Sequence, residues 1–254
     1  MIRIYKDPDS LVTAVADFIV VCAKEAIDRD GRFNLALSGG ESPRKLYALL
    51  SSAPYRRSIA WSKIFFFFGD ERYVPPIHPD STFAMAKETL FDPLGIDAEH
   101  IYSVDTSLLP SEAATRYEQR IRGHFNGDIR FDLILLGLGE DAHTASLFPN
   151  NDVLHEKRAL VKEVFVTDGF TIRVTFTARL INLARRVVFL AYGESKSEAV
   201  RHVLEEPLNV EAYPAQLISP EKGERVWFLD ERAASEIWKR EHHIPAAKHT
   251  KRKN

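Results

Sequence analysis

Residues 131–139 read FDLILLGLG, a run of mostly apolar side chains that ends at two glycines. The segments IFFFFG (64–69) and VVFLAYG (187–193) have the same form. Strands that are buried on both faces have such continuous apolar runs, whereas half-exposed strands alternate apolar and polar residues. These three segments therefore predict the central strands of a sheet that is covered on both sides.

Helical patterns separate the predicted strands. Helices are predicted over 10–30, 43–50, 81–90, 111–125, 178–185, 195–205 and 231–240, and further strands over 33–37, 159–166, 171–176 and 225–229. The repeated order of strand and then helix indicates parallel crossover connections. We therefore expect an α/β protein with a parallel sheet and helices on both faces.

The composition limits the class of protein. Of the 254 residues, 34 are Lys or Arg and 36 are Asp or Glu, so the net charge of −2 offers no large basic surface for nucleic acid. Cys22 is the single cysteine, which excludes an internal disulfide and fits the cytoplasm. No apolar run is long enough for a membrane span or a signal peptide.

The chain contains no internal repeat and no Gly/Ser linker. We expect a single domain over residues 1–244. Residues 245–254 are basic and lack apolar periodicity, which predicts a flexible tail.

Polar residues and glycines follow four of the predicted strands. The segments are SGGESPR (38–44), GDERY (69–73), GLGEDAHT (137–144) and GESK (193–196). In open parallel sheets, ligands bind outside the carboxyl ends of the strands. The coincidence of four such segments predicts one ligand site at this edge of the sheet.

The first segment has the features of a phosphate site. Its two glycines let the backbone approach a ligand, and the helix that follows directs free N–H groups and a favourable dipole at an anion. We take Ser38, Gly39, Gly40 and Arg44 as candidate phosphate-binding residues, although the P-loop pattern is absent.

Cations beyond other strand ends are candidates for the same anion. Arg72 and Lys196 follow strands directly, and Arg suits bidentate phosphate contact. Asp70 could orient Arg72 or the hydroxyls of a substrate. Arg173 lies within a predicted strand and would need an anionic partner if it points inward. The alternative is that these are ordinary surface cations.

His143 is the candidate catalytic residue, because an unperturbed imidazole titrates near neutral pH and can act as a general base toward water. Asp141, two residues earlier, is placed to orient it. The alternatives are a structural histidine and a nicotinamide enzyme, since GLGEDA (137–142) matches the relaxed G-x-G-x-x-A fingerprint. The chain shows neither a metal-ligand spacing nor a G-x-S-x-G elbow.

Five segments together resemble the 6-phosphogluconolactonase family, which is related to the glucosamine-6-phosphate deaminases and isomerases. They are LALSGGESPRKLY (35–47), FFFGDERYVP (66–75), FDLILLGLGEDAHTASLFP (131–149), IRVTFTARLINLARRVVFLAYGESKSEAV (172–200) and YPAQLI (213–218). The resemblance implies a three-layer α/β/α fold with a mostly parallel, modified Rossmann-like sheet. It also implies hydrolysis of 6-phospho-D-glucono-1,5-lactone in the oxidative pentose phosphate pathway, without a metal or nucleotide cofactor.

The resemblance extends to single residues. By position, His143 is similar to the family's catalytic histidine, Arg72 to the arginine of GDER, and Gly39, Gly40 and Lys196 to phosphate-contacting residues. We expect a small sugar-phosphate lactone as the partner and a monomer or weak homo-oligomer. An amino-sugar-phosphate deaminase and a non-catalytic sugar-phosphate sensor stay open as alternatives.

Two positions depart from the family's pattern. Ala142 stands where the family usually has glycine, and Thr82-Phe83 replaces a frequent Asn-Tyr pair. If residue 142 needs a positive φ, alanine costs about 1 kcal/mol or more and could displace His143.

Overall fold

The computed structural model describes residues 1–166 and 171–238. The strands are β1 (Ile2–Tyr5), β2 (Phe33–Leu37), β3 (Ile64–Phe68), β4 (Asp70–Arg72), β5 (Ile101–Tyr102), β6 (Leu133–Leu136), β7 (Val161–Val166), β8 (Thr171–Phe176), β9 (Arg186–Ala191) and β10 (Glu224–Asp230). The α-helices are α1 (Pro8–Asp30), α2 (Glu41–Ser51), α3 (Thr82–Ala86), α4 (Asp92–Leu94), α5 (Pro110–Phe125), α6 (Ala178–Ile181) and α7 (Ser197–Glu205). The predicted tail over 245–254 lies outside the described residues.

Seven strands form one parallel sheet in the order β1-β10-β9-β6-β2-β3-β5. From β2 the chain adds β3 and β5 on one side, and it then crosses to β6, β9 and β10 on the other. The direction of winding therefore reverses between β2 and β6. Ligand crevices in open α/β sheets form at such a reversal, outside the carboxyl ends of the strands.

Both faces of the sheet are buried. Along β6, Leu133 and Leu135 belong to a core cluster that includes side chains of α1 and α2, and Ile134 and Leu136 belong to a second cluster with α5 and α7. The fold is thus the three-layer α/β/α arrangement with a mostly parallel sheet, as predicted. Among the described residues, no helix has the length and apolar character that a bilayer crossing requires.

The segment Asp70–Arg72 is a strand, whereas the sequence analysis assigned no secondary structure to it. β4 pairs antiparallel with β8, which pairs antiparallel with β7, so the three strands form a second sheet. Gly69 makes the transition: its N–H donates to Leu37 in the first sheet, and its carbonyl accepts from Phe176 in the second. A three-residue strand of charged side chains has no apolar pattern in the sequence. It is recognised as a strand only from its hydrogen bonds to β8 in the structure.

Four other elements differ from the predictions. β1 was missed because it is a short edge strand. The helix predicted over 178–185 ends at Ile181, and residues 231–238 form turns where a helix was predicted. Finally, α2 begins at Glu41, two residues before its predicted start at residue 43.

Two buried tyrosines complete the hydrogen bonding where β2 and β3 end. The hydroxyl of Tyr47 accepts from the N–H of Ser38 (2.9 Å) and donates to its carbonyl (2.8 Å). The hydroxyl of Tyr117 has the same two bonds to Phe68, at 2.7 and 3.2 Å. Buried backbone groups need partners, and these phenols supply them without an additional strand, which leaves space at the end of the sheet.

We predict that Tyr47→Phe lowers the free energy of unfolding by about 2–4 kcal/mol, because two buried backbone groups lose their partner. Denaturant unfolding measures this loss. Tyr55→Phe is the control: its hydroxyl bonds to the exposed Asp17 (2.7 Å), so its removal should cost about 1 kcal/mol or less. Equal losses in the two variants would show that the Ser38 groups do not depend on Tyr47.

Candidate active site

The turn after β2 is built for close approach to its surroundings. Gly40 has φ 105° and ψ 175°, a conformation that disfavours other residues. A Cβ at Gly39 would lie 2.7 Å from Oγ1 of Thr82, which is fully buried. Thr82, one of the two departures from the family's pattern, therefore packs directly against the turn and requires glycine at position 39.

A pair of arginines lies across from this turn. Arg72 on β4 and Arg173 on β8 are direct cross-strand partners. The Nε atom of each is buried and has no hydrogen-bond partner in the structure. Burial, and then the neighbouring Arg72, lower the pKa of Arg173, and the charge of Asp70 opposes them. Two adjacent guanidinium groups with unsatisfied donors are suited to binding an anion.

Carboxylates hold the arginine pair in place. Glu71 is buried and accepts hydrogen bonds from the backbone N–H groups of Arg72, Thr82 and Phe83 at 2.7–2.8 Å. It thereby closes the loop that follows β4, and the carbonyl of Asp80 in that loop accepts a bond from Arg72 (2.8 Å). Because of these bonds, Arg72 is held from both its backbone and its side chain.

Asp70 connects the arginine pair to the turn that carries the histidine. One carboxylate oxygen lies 4.0 Å from Nη1 of Arg173 and accepts a 2.8 Å hydrogen bond from the hydroxyl of Ser146. The N–H of Ser146 in turn donates to Thr175 on β8 (3.1 Å). The end of the histidine turn is therefore fixed to the second sheet.

His143 is oriented by Asp141. The Nδ1 atom of His143 lies 2.5 Å from Oδ1 of Asp141, and the backbone N–H of His143 donates to the same oxygen. Burial raises the pKa of Asp141, but hydrogen bonds and charge from His143 outweigh it, so the pKa is lower than usual. An ionised Asp141 fixes the proton on Nδ1 and leaves Nε2 as the basic nitrogen. The ring also packs on Phe148, with centroids 4.4 Å apart.

Ala142 has φ 61°, so the strain expected for alanine at this position is present. The residue is nevertheless held by two hydrogen bonds, from its N–H to Gly139 (3.1 Å) and from Ala215 to its carbonyl (3.0 Å). Its buried methyl group is worth about 0.8 kcal/mol, which offsets most of a strain of about 1 kcal/mol. His143 keeps its contact with Asp141, so alanine does not displace it.

Lys196 enters from a fourth segment. It follows Gly193 in a short 3₁₀ turn, Glu194–Lys196, and its Nζ lies 4.0 Å from Oε1 of Glu140. Since both side chains are partly exposed, this ion pair contributes little to stability. Lys196 therefore remains available to another anion.

The four segments enclose one cavity of about 210 Å³, smaller than the roughly 300–1,000 Å³ typical of drug-sized ligands. Its lining includes the following candidates: Ser38, Gly39, Gly40, Asp70, Arg72, His143, Arg173 and Lys196. Asp141 supports His143 from outside this lining. Arg44 does not join the site, because it pairs with Glu88 (3.1 Å) on the surface.

Sequence reasoning missed the residues that hold the site together. They are Tyr47, Ser146 and Asp230, together with Thr144 and Ala145 in the lining. Asp230 had one usable signal, since it is a carboxylate directly after the apolar run of β10.

The structure disfavours the nicotinamide-enzyme alternative. A helix should follow the glycines of a dinucleotide-binding fingerprint, whereas turns follow Gly139 in the described chain.

Fold and cavity together define an α/β protein with a histidine–aspartate pair and a cluster of cationic side chains at the winding reversal. The profile of the family described as glucosamine-6-phosphate isomerases/6-phosphogluconolactonase matches residues 6–227. The chain belongs to this family.

Individual relatives agree with this assignment. A 6-phosphogluconolactonase from a Nostoc species is 39% identical over 241 residues, covering 93% of this chain and 98% of the relative. One from a Synechocystis species is 41% identical over 221 residues, covering 84% and 88%. The crystal structure of a 6-phosphogluconolactonase from Thermotoga maritima superimposes with a TM-score of 0.79 at 30% identity, covering 91% of this chain and 99% of that one.

We predict that Gly139→Ala breaks the His143–Asp141 hydrogen bond. The new Cβ would lie 2.1 Å from Nδ1 of His143 and 2.4 Å from Oδ1 of Asp141, so both side chains must move. Proton NMR should show loss of the downfield Nδ1–H signal in a folded protein. Gly137→Ala is the matched control, since its Cβ would meet no atom closer than 4.0 Å. Retention of the signal in both variants would contradict the geometry.

Proposed function

We propose that this protein hydrolyses 6-phospho-D-glucono-1,5-lactone to 6-phosphogluconate in the oxidative pentose phosphate pathway. One observation carries the proposal: the His143–Asp141 pair and the cations Arg72, Arg173 and Lys196 meet at one small cavity. Relatives that align over nearly the whole chain are named 6-phosphogluconolactonases, which supports it.

The cations bind the phosphate of the substrate. Arg72 and Arg173 present unsatisfied guanidinium donors, and Lys196 adds a third positive charge to the same cavity. The backbone at Gly39 and the hydroxyl of Ser38 complete this part of the site. Holding the remote phosphate positions the lactone ring, so that binding energy is used away from the reacting carbon.

His143 is the general base. Its Nε2 takes a proton from a water molecule while the water oxygen bonds to C1 of the lactone. The tetrahedral intermediate then breaks the bond between C1 and the ring oxygen. The imidazolium returns its proton to that oxygen, which leaves a carboxylic acid at C1. This acid loses its proton to solvent, and the product leaves as the carboxylate. Asp141 stabilises the imidazolium and keeps the ring in one orientation.

The donors to the developing oxyanion come from the turn at Gly40. The N–H of Gly139 is unsuitable, because it already donates to the carbonyl of His143 (2.8 Å). The N–H groups at Gly40 and at the start of α2 lie at a helix N-terminus, where negative charge is stabilised.

We also propose that the enzyme acts in the cytoplasm as a monomer or weak homo-oligomer. The buried, unpaired Cys22 fits a reducing compartment.

The decisive assay supplies freshly made 6-phosphogluconolactone at neutral pH and measures 6-phosphogluconate above the rate of spontaneous ring opening. Ammonia release from glucosamine 6-phosphate is measured in parallel, because the family includes glucosamine-6-phosphate isomerases. Turnover of the lactone supports the proposal. Ammonia release without lactone turnover would favour the deaminase, and tight binding of 6-phosphogluconate without turnover of either substrate would favour a sensor.

We predict that His143→Ala lowers kcat by about 10²–10⁴-fold, the usual contribution of a positioned acid–base group. Steady-state kinetics with the lactone measures this. His155→Ala is the control, because His155 also contacts a carboxylate, Glu211 (3.0 Å), but lies outside the cavity. Wild-type turnover in His143→Ala would exclude the proposed role.

Charge reversal at Lys196 should act on binding. Lys196→Glu places a carboxylate against the phosphate. We expect KM to rise by about tenfold or more, since like charges about 4 Å apart cost roughly 1 kcal/mol in water and about 4 kcal/mol near a protein surface. Lys24→Glu, an exposed change on α1, should leave KM unaltered. An unchanged KM in Lys196→Glu would place the phosphate elsewhere.

A further inference from the structure

Asp230 ends β10 and is 1% exposed. Its Oδ1 accepts hydrogen bonds from the N–H of Gly193 (3.0 Å) and from the N–H of Ala233 (2.8 Å). β10 is the direct neighbour of β9 in the sheet, so this carboxylate extends from one strand end to the turn that follows the next strand. Asp230 is absent from the cavity lining.

Gly193 connects Asp230 to Lys196 through hydrogen bonds of its own backbone. The N–H of Gly193 points to Asp230, and its carbonyl accepts a 3.1 Å hydrogen bond from the backbone N–H of Lys196. Gly193 has φ 93° and ψ 151°, a conformation that needs glycine and that the two bonds fix from both sides. Lys196 is next to the start of α7, so the direction of its side chain follows from the conformation of this turn.

We propose that Asp230 is a positioning residue for substrate binding, which acts through Gly193 to aim Lys196 at the phosphate. This inference rests on the proposed function, because it takes Lys196 as a phosphate ligand. The role requires the acceptor oxygen of Asp230 at its present place and does not require its negative charge, since both groups that it binds are neutral backbone N–H donors.

The isosteric amide separates these two properties. Asp230→Asn keeps an oxygen at the Oδ1 position, so KM should stay within about twofold of wild type, as expected when a hydrogen bond is retained. Asp230→Ala removes the acceptor, and a turn shifted by about 1 Å typically costs up to 10²-fold. We expect KM to rise by about five- to twentyfold with kcat changed less than about threefold.

A double-mutant comparison with Lys196 tests whether Asp230 changes KM through Lys196. If Asp230 acts through Lys196, then Asp230→Ala should raise KM no further in a Lys196→Ala background. The affinity of each variant for 6-phosphogluconate, measured by calorimetry, should follow the same pattern without depending on turnover. Additive effects of the two substitutions, or a loss of kcat at constant KM, would overturn the proposal.

Two further variants control for stability. Asp132→Ala removes an equally buried carboxylate that accepts the N–H of Asn34 (2.8 Å) at the opposite end of the sheet. It should destabilise the protein and leave KM unchanged. If Asp230→Ala does not fold, Asp230→Glu displaces the same oxygens by one methylene and should still raise KM.

A wild-type protein that neither hydrolyses the lactone nor binds 6-phosphogluconate would refute the proposed function itself. This result differs from an active wild type whose KM is unaffected by Asp230→Ala, which would refute only the role of Asp230.

Discussion

The site depends on which groups supply hydrogen-bond partners to the backbone at the carboxyl edge of the parallel sheet. Buried N–H and C=O groups must have partners, yet an additional strand at the carboxyl edge would fill the cavity. Side chains from neighbouring elements take that role: the phenols of Tyr47 and Tyr117 and the carboxylates of Glu71 and Asp230. These side chains make the hydrogen bonds that a further strand would otherwise make. The space beyond the strand ends therefore stays open.

Three charged side chains of the second sheet, Arg72, Arg173 and Asp70, determine the electrostatics of the cavity. Arg72 and Arg173 stand side by side, an arrangement that is unfavourable without an anion. Asp70 offsets part of the repulsion from 4.0 Å, and it also accepts the hydroxyl of Ser146 from the histidine turn. One carboxylate therefore connects the arginine pair to the turn that carries His143.

The sequence predicted the central strands well because each is a continuous apolar run, a pattern that only burial on both faces explains. β2 and β3 agree with their predicted bounds, and glycines mark the ends of the central strands. β4 could not be predicted, since three charged residues become a strand only against β8. Asp230 and Tyr47 were missed for a related reason: each bonds to backbone atoms, so no partner residue type points to it. Only the position of Asp230 after an apolar run gave a signal. Arg44 lies outside the cavity lining although it belongs to the predicted segment, because its side chain pairs with Glu88.

Among the described residues, the first strand lies beside the last one. β1 pairs with β10 over Ile2–Tyr5 and Trp227–Asp230, so β1 finds its neighbour only after translation has passed Asp230. Because translation adds roughly 5–20 residues per second, β1 waits on the order of ten seconds with an unpaired edge. Arg3 within it supplies a charge of the kind that discourages aggregation of exposed edges. The sheet, and with it the hydrogen bonds of Asp230 to the Lys196 turn, is therefore completed only after β10 leaves the ribosome.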